Sequence, residues 1–260
     1  MNKFSPFLNE SIQAKNIVEI DVDQFALSAF RELINYPFNE DDYCITSPSW
    51  NSDIKWISAN NSKTHQFFYD HFSKMKIASS VLKVLDLNES PTLYQGFIVQ
   101  RSNCTKTNFH EDWINTKNQA FTFMTPITDN SDGFGLLYYD IHGQVREYNY
   151  QVGKGILFGD KFIHSTKPGR SEHPVMILCF TFGTDKMRYW NSICLTAGYQ
   201  GGMIQMPNKQ WMPRGWVGLL YRAIIAPKQI FTLITRGLLY RASMELKRIS
   251  YNLRSNLKEK

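Results

Sequence analysis

Between about residues 93 and 185 the chain alternates short apolar runs with polar turns, and this alternation most constrains its fold. Six runs are rich in β-branched and aromatic residues: TLYQGFIVQ, AFTFMTPIT, FGLLYYD, VREYNYQV, GILFG and PVMILCFTFG. The turn signals that separate them are DNSDG, IHGQ, VGKG, GDK and KPGRSE. Many short strands joined by turns of this kind predict an antiparallel sandwich or barrel.

Helical patterns flank this β-rich segment. In DVDQFALSAFRELINYP the apolar residues recur at helical spacing, Asp21 or Asp23 can cap the helix, and Pro37 ends it. THQFFYDHFSKMKIASSVLKVLDL is a second helical region, and the pattern is helical again after Pro213. We therefore predict an α+β chain with an N-terminal helical flank (1–92), a β-core (93–185) and a C-terminal basic helical region (186–260).

The composition excludes several classes of protein. Hydrophobic residues make up 43% of the 260-residue chain and aromatic residues 14%, which is too much for a disordered protein. The four cysteines form no CxxC pair, which favours reduced thiols in a cytoplasmic protein. The N-terminus has no apolar signal region, and no window holds eighteen uninterrupted apolar residues, so we expect neither secretion nor a membrane-spanning helix.

The net charge of +6 is unevenly distributed along the chain. Residues 214–260 hold ten Lys or Arg and two Glu, a net charge of +8, which leaves a net −2 for residues 1–213. A partner that is attracted by positive charge would therefore meet the C-terminal region.

The stretch NFHEDW places a histidine and two acids at consecutive positions 110–112. In a strand, residues i and i+2 share a face, so His110 and Asp112 project together while Glu111 points away. A polar strand end explains the triplet equally well. His164, 54 residues downstream after an apolar strand, supplies a third ligand. Two histidines and one carboxylate form the facial triad of non-haem Fe(II) oxygenases, whereas structural zinc usually needs a fourth protein ligand, and none is evident.

These motifs resemble the Fe(II)/2-oxoglutarate-dependent dioxygenases, and among them the prolyl-hydroxylase-like branch. The family's H-x-D motif is matched by residues 110–112, and its Gly-Gly-x-Leu turn and strand by DGFGLLYYD. GKGILFGDKFIHSTKP matches its Gly-x-x-x-x-Phe … His-x-x-x-Pro, and PVMILCFTFGTD its last strand. The resemblance covers about a third of the chain. It implies a double-stranded β-helix (jelly-roll, cupin-like) core.

The resemblance also implies a reaction. His110, Asp112 and His164 would hold Fe(II), and 2-oxoglutarate and O₂ would be co-substrates. Hydroxylation of a C–H bond would release succinate and CO₂. The acid at position 112 favours hydroxylation over halogenation, because related halogenases replace it with a small residue.

The 2-oxoglutarate anchor departs from the family's pattern. The family places an Arg or Lys nine or ten residues after the second histidine, where this chain has His173 and Pro174. Arg170 in the preceding turn is a candidate, as are Lys106 and Arg101 near the first ligand strand. Gln100 stands ten residues before His110, where relatives place a polar residue near the co-substrate.

Two other classes compete with an oxygenase. One is a non-enzymatic cupin-like protein that binds a metal or small molecule. The other is a nucleic-acid demethylase, which the absence of an Arg-x-Asn arrangement after His164 disfavours. The substrate is not identified by the sequence; a small molecule, a peptide and a lipid-linked compound all remain open.

The C-terminal region carries two apolar helical stripes interrupted by Pro227. The first comprises Trp216, Leu219, Leu220, Ala223 and Ile224, and the second Ile230, Leu233, Ile234 and Leu238. Because arginines divide each run, neither spans a bilayer, but a basic amphipathic helix can lie on an anionic membrane. Packing on the barrel or a homodimer interface is the alternative.

Overall fold

The computed structural model describes residues 18–47, 53–129, 134–197 and 202–225. Its helices are α1 (Gln24–Leu33), α2 (Ser62–Lys74), α3 (Trp190–Ala197) and α4 (Gly215–Ile225), with short 3-10 helices at Ile77–Ser80 and Met187–Tyr189. Its strands are β1 (Val18–Asp21), β2 (Tyr43–Thr46), β3 (Lys55–Ala59), β4 (Thr92–Cys104), β5 (His110–Glu111), β6 (Ala120–Pro126), β7 (Gly135–Tyr139), β8 (Val145–Asn149), β9 (Lys154–Phe158), β10 (Ile163–Thr166) and β11 (Gly169–Gly183).

The eight strands from β4 to β11 form a two-layer antiparallel barrel. Four of them lie in the order β9-β6-β11-β4 within the larger sheet, and the other four form the smaller sheet in the order β5-β10-β7-β8. Eight antiparallel strands in two facing sheets are a jelly roll, also called a double-stranded β-helix. The antiparallel sandwich or barrel predicted from the turn pattern is therefore confirmed, as is the double-stranded β-helix that the resemblance implied.

The space between the two sheets is filled by side chains from both. We call it the barrel interior. Phe97 and Cys179 enter it from the larger sheet, and Leu136 and Tyr138 from the smaller one. Because side chains alternate along a strand, every second residue of β4, β6 and β11 faces this space. A polar residue at such a position is enclosed by the barrel.

The other face of the larger sheet packs against α1 and α2. Phe180 and Phe182 of β11 make ring contacts with Phe72 of α2, at centroid separations of 5.6 and 4.9 Å. Gly96 of β4 allows α2 to approach closely, since a Cβ atom there would lie 2.5 Å from the Phe68 ring. Residues on both faces of β11 are thus buried, one set inside the barrel and the other under the helices.

Helix α1 follows the sequence prediction, whereas the second predicted helical region, 64–87, is shorter: α2 ends at Lys74 and a 3-10 helix, Ile77–Ser80, comes after it. Asp23 caps α1 by accepting a hydrogen bond from the Phe25 N–H, and the helix ends before Pro37. Asn61 caps α2 by accepting from the Thr64 N–H. Strands β1, β2 and β3 were not anticipated. They extend the larger sheet to seven strands, β1 beside β9 and β3 beside β4, so the N-terminal region belongs partly to the sheet.

Residues Met1–Arg214 form one compact unit and Gly215–Lys260 a second. Within the second unit the structure describes α4, and the predicted stripe from Ile230 to Leu238 lies outside the described residues. Among the residues described, no helix is long and apolar enough to cross a membrane. The four cysteines, all within the described ranges, form no disulfide.

Candidate metal centre

The register of the smaller sheet places the two motif histidines directly opposite each other. His110 of β5 pairs with His164 of β10, and their ring centroids are 4.6 Å apart. Residues that face each other across an antiparallel pair project to the same side of the sheet. Both imidazoles therefore reach the same point, although 54 residues separate them in the chain.

Asp112 completes the cluster just after β5 ends. Its Oδ1 atom lies 3.5 Å from His110 Nε2 and 3.9 Å from His164 Nε2. One ligand atom from each of the three residues lies within 4.8 Å of the other two. The structure thus brings together all three residues that the motif singled out. Two imidazoles and a carboxylate in this arrangement suit a divalent transition metal.

Backbone carbonyls orient both imidazoles. His110 Nδ1 lies 2.8 Å from the Asn108 carbonyl oxygen, and His164 Nδ1 lies 3.2 Å from that of Phe162. A carbonyl oxygen only accepts, so each Nδ1 carries the proton and donates it. Each Nε2 is then the nitrogen that faces Asp112 and that can ligate a metal when it carries no proton.

A chain of hydrogen bonds holds Asp112 on the side of its carboxylate that faces away from the two histidines. Thr122 of β6 donates its hydroxyl proton to Asp112 Oδ2 at 3.0 Å, and the Trp113 indole N–H donates to the Thr122 oxygen at 2.9 Å. Thr196 of α3 donates to the Asp112 backbone carbonyl. Oδ2 is occupied by these contacts, so Oδ1 is the atom left to face the histidines.

Two of the three ionisable groups, Asp112 and His164, have pKa values shifted in the direction that suits metal binding. Burial raises the pKa of Asp112, but the charges of His164 and His110 and the hydrogen bonds from His110 and Thr122 outweigh this and lower it to about 2. Burial lowers the pKa of His164 to about 4, although Asp112 opposes the shift. Burial also lowers the pKa of His110, but Asp112 more than compensates and the pKa is raised. At neutral pH the carboxylate is ionised and His164 is neutral, the forms that ligate metals.

The other three histidines lie elsewhere. His65 and His71 are buried on α2, where His71 Nδ1 is 2.8 Å from the Phe67 carbonyl oxygen. His142 is exposed in the turn between β7 and β8, as predicted. Glu111 pairs with Ile163 and alternates away from the cluster.

Four of the residues predicted to bind the co-substrate do not lie together in the way that the three clustered residues do. Arg170 and His173 are exposed near the start of β11, and Lys106 is exposed in the loop before β5. Gln100 of β4 is half-buried and alternates with Val99, which packs in the barrel interior, so it lies on the other face of the sheet. These four assignments stay predictions.

Arg101, the remaining candidate, is buried and faces the barrel interior. It pairs with Val175, near the middle of β11. Its Nε donates to the Asn103 carbonyl at 3.0 Å and lies 3.6 Å from Asp53 Oδ2. Burial and the nearby Cys179 and Tyr148 raise the pKa of Tyr150, while the Arg101 charge lowers it. Arg101 and the Tyr150 phenol therefore share this part of the interior.

Sequence reasoning missed Thr122 and the hydrogen bond that Trp113 donates to it. The available signal was a threonine at an inward position of the aromatic run AFTFM. Its importance depends on the tertiary contact with Asp112, which no local pattern reveals.

No protein-family model matches the chain, and no curated protein matches it either. The non-haem alpha-ketoglutarate-dependent carbocyclase SnoK from nogalamycin biosynthesis matches with a TM-score of 0.50 and 10% identity, over 68% of this chain and 85% of its own. HygX from Streptomyces hygroscopicus, with nickel and 2-oxoglutarate bound, has a TM-score of 0.49 at 10% identity over 65% and 82%. A Pseudomonas putida prolyl-4-hydroxylase has a TM-score of 0.45 at 12% identity over 65% and 92%.

The likeness to SnoK shows the fold of this chain. The resemblance noted from the motifs is therefore confirmed at the level of the double-stranded β-helix. Fold and site together define a jelly-roll protein with a two-histidine, one-carboxylate cluster in its barrel.

Replacing Thr122 with valine tests the support of Asp112. The Thr122→Val change keeps the shape of the side chain and removes the hydrogen bond to Oδ2. Loss of such a bond to a ligand typically weakens metal binding about 10- to 100-fold, which calorimetric titration with Co(II) measures. Thr125→Val is the matched control, because Thr125 is buried on the same strand and bonds the Lys154 carbonyl instead. Equal affinities in the two variants would contradict the assignment.

Proposed function

We propose that this protein is a non-haem Fe(II)/2-oxoglutarate-dependent oxygenase that hydroxylates an unactivated C–H bond. The observation that carries the proposal is the convergence of His110, Asp112 and His164 in the barrel. Three protein ligands on one side of a metal leave its other positions open for a co-substrate and O₂. The double-stranded β-helix that this chain shares with SnoK supports the same reading.

The residues fit the group they would hold. His110 and His164 offer Nε2 lone pairs, Asp112 offers an ionised carboxylate, and Thr122 fixes its orientation. When bound, Fe(II) with 2-oxoglutarate and O₂ supplies the oxidising chemistry and releases succinate and CO₂. The protein's own contribution is to bind, to orient and to keep water out. His164 and Asp112 are mostly buried while His110 is 45% exposed, so the substrate enters on the His110 side.

Arg101 is our proposed anchor for the distal carboxylate of 2-oxoglutarate. It is a buried guanidinium whose neighbour across the ladder is Val175 of β11, the strand on which the family usually carries its basic residue. A planar guanidinium binds both oxygens of a carboxylate. Tyr150 adds a phenol in the same region. Arg170 and His173, exposed on β11, and Lys106, exposed in the loop before β5, are the competing candidates, and Gln100 is a lesser one.

Substitution of the second histidine tests the enzyme class. We expect His164→Ala to abolish iron-dependent succinate formation from 2-oxoglutarate while the circular dichroism spectrum stays native. Glu111→Ala is the control from the same motif, and it should retain succinate formation because Glu111 alternates away from the cluster. Full activity in His164→Ala would sink the metal assignment.

Metal binding without any succinate formation in the wild type would favour the non-enzymatic cupin-like alternative.

The co-substrate anchor is tested by kinetics. Arg101→Leu should raise the KM for 2-oxoglutarate about ten- to a hundredfold, since a lost charge-assisted hydrogen bond is worth roughly 1.5–3 kcal/mol. Asp53→Asn separates this from a structural effect, because it removes the ion pair of Arg101 and keeps the guanidinium. Its KM should stay near the wild-type value. A large rise in Arg170→Ala or His173→Ala, with none in Arg101→Leu, would move the anchor to β11.

The α4 helix supports a peripheral membrane contact as a second role. Val217, Leu220 and Ile224 are exposed, and their spacing places them on one helical face. Apolar residues on a helix within a basic region can bury themselves among anionic lipids. The same face would equally suit a homodimer.

Flotation with anionic liposomes separates these alternatives. The full chain should bind at low salt and be released as salt rises, and Leu220→Glu should weaken binding several-fold. Val145→Glu introduces the same charge at an exposed valine of β8 and should have no effect. The face is a dimer interface if the wild-type protein does not bind liposomes and if Leu220→Glu dissociates a dimer, as measured by ultracentrifugation.

A further inference from the structure

Gln95 of β4 is a buried glutamine whose side chain lacks hydrogen-bond partners. It is 1% exposed, and neither Nε2 nor Oε1 has a partner in the part of the chain that the structure describes. Nearly all buried polar atoms in folded proteins are hydrogen-bonded, and one that is not destabilises the fold unless something binds it. The carboxamide can both donate and accept, so it can bind several kinds of oxygen ligand.

The strand registers place Gln95 in the same layer as the support of Asp112. Gln95 pairs with Thr181 of β11, and Thr181 pairs with Thr122 of β6. Gln95 and Thr181 alternate with Phe97 and Cys179, which face the barrel interior, so they face it too. Two strand spacings, roughly 10 Å, separate the Cα atoms of Gln95 and Thr122. Thr122 in turn bonds Asp112.

A second buried glutamine shows what a structural role looks like in this fold. Gln119 is also buried, but its Nε2 donates to the carbonyls of Val84 and Lys117. Its Oε1 accepts from the Asp86 N–H. Both polar atoms of its side chain therefore make hydrogen bonds to the backbone of this chain. Gln95 has the same side chain and comparable burial, and none of these contacts.

We propose that Gln95 is a positioning residue that hydrogen-bonds an oxygen ligand on the open side of the metal held by His110, Asp112 and His164. In the protein with metal alone, that ligand is a bound water. With co-substrate present, it is a carboxylate oxygen, to which the Nε2 group donates. This inference rests on the proposed metal centre and adds a residue that the H-x-D … His motif does not contain.

The proposal predicts opposite effects of one substitution on stability and on the metal complex. Gln95→Leu removes buried polar atoms that have no partner, so the melting temperature of the metal-free protein should rise by a few degrees, about 2–4 °C. In the same variant, Co(II) affinity should fall about 2- to 10-fold. The visible Co(II) spectrum should also change, because a coordinated oxygen ligand is repositioned. Gln95→Met repeats the test with an unbranched side chain in case leucine does not pack.

Gln119→Leu is the matched control. It should lower the melting temperature, because the Asp86 N–H and two carbonyls lose their partner, and it should leave the Co(II) spectrum of the folded protein unchanged. A Gln95 variant that melts lower than wild type would assign the residue a structural role and overturn the proposal. So would a Co(II) spectrum and affinity identical to the wild type. Failure of the wild type itself to bind Co(II) would instead reject the metal centre.

Discussion

The antiparallel pairing of β10 with β5 is the interaction on which the candidate site depends. Side chains alternate with a period of two, so a shift of one residue would turn either His110 or His164 to the other face of the smaller sheet. The pairing of β10 with β7 on its other side fixes the position of His164, which lies opposite Tyr138. The loop before β5 is tied to β10 as well, because the Asn108 N–H donates to the Ser165 hydroxyl at 2.7 Å. The position of the two histidines is thus a property of the sheet, whereas Asp112 follows β5 and is held by Thr122.

The larger sheet supplies a rigid wall against which Asp112 is held. Both faces of β11 are buried, since Cys179 lies in the barrel interior and Phe180 under α2. β6 lies beside it, and Thr122 projects from β6 toward Asp112. Trp113 is fully buried and engaged with the same threonine. A carboxylate held by a packed strand keeps its direction before any metal arrives, which favours a site that needs little rearrangement on binding.

Much of this architecture could be predicted from local patterns. Periodicity and turn residues predict helices α1 and α2 and six of the eight barrel strands, and one spaced motif identifies the three clustered residues. The two short strands β5 and β10 were not among the predicted apolar runs. Strands β1 to β3 were missed because they have four or five residues each and form by pairing with strands distant in sequence.

The position of Arg101 in the barrel could not be predicted from the sequence for a related reason. Counting from His164 along the chain leads to His173, whereas Arg101 enters that region from the neighbouring strand, opposite Val175. The register between two strands cannot be predicted from the sequence of either strand alone.

The charges in the barrel interior bear on which co-substrate suits it. Asp112 is ionised and buried, and Arg101 is a buried cation whose ion pair with Asp53 lies near the surface, where Asp53 is 31% exposed. A bound divalent metal would leave this interior with an excess of positive charge, since the two histidines are neutral when they ligate. Buried charge is costly unless it is compensated. A dicarboxylate with one carboxylate at the metal and the other at Arg101 would compensate both positive charges. A neutral co-substrate would leave the guanidinium without a buried counter-charge. With the proposed metal and the proposed anchor at Arg101, the electrostatics of the interior favour a dianion such as 2-oxoglutarate over a neutral reductant.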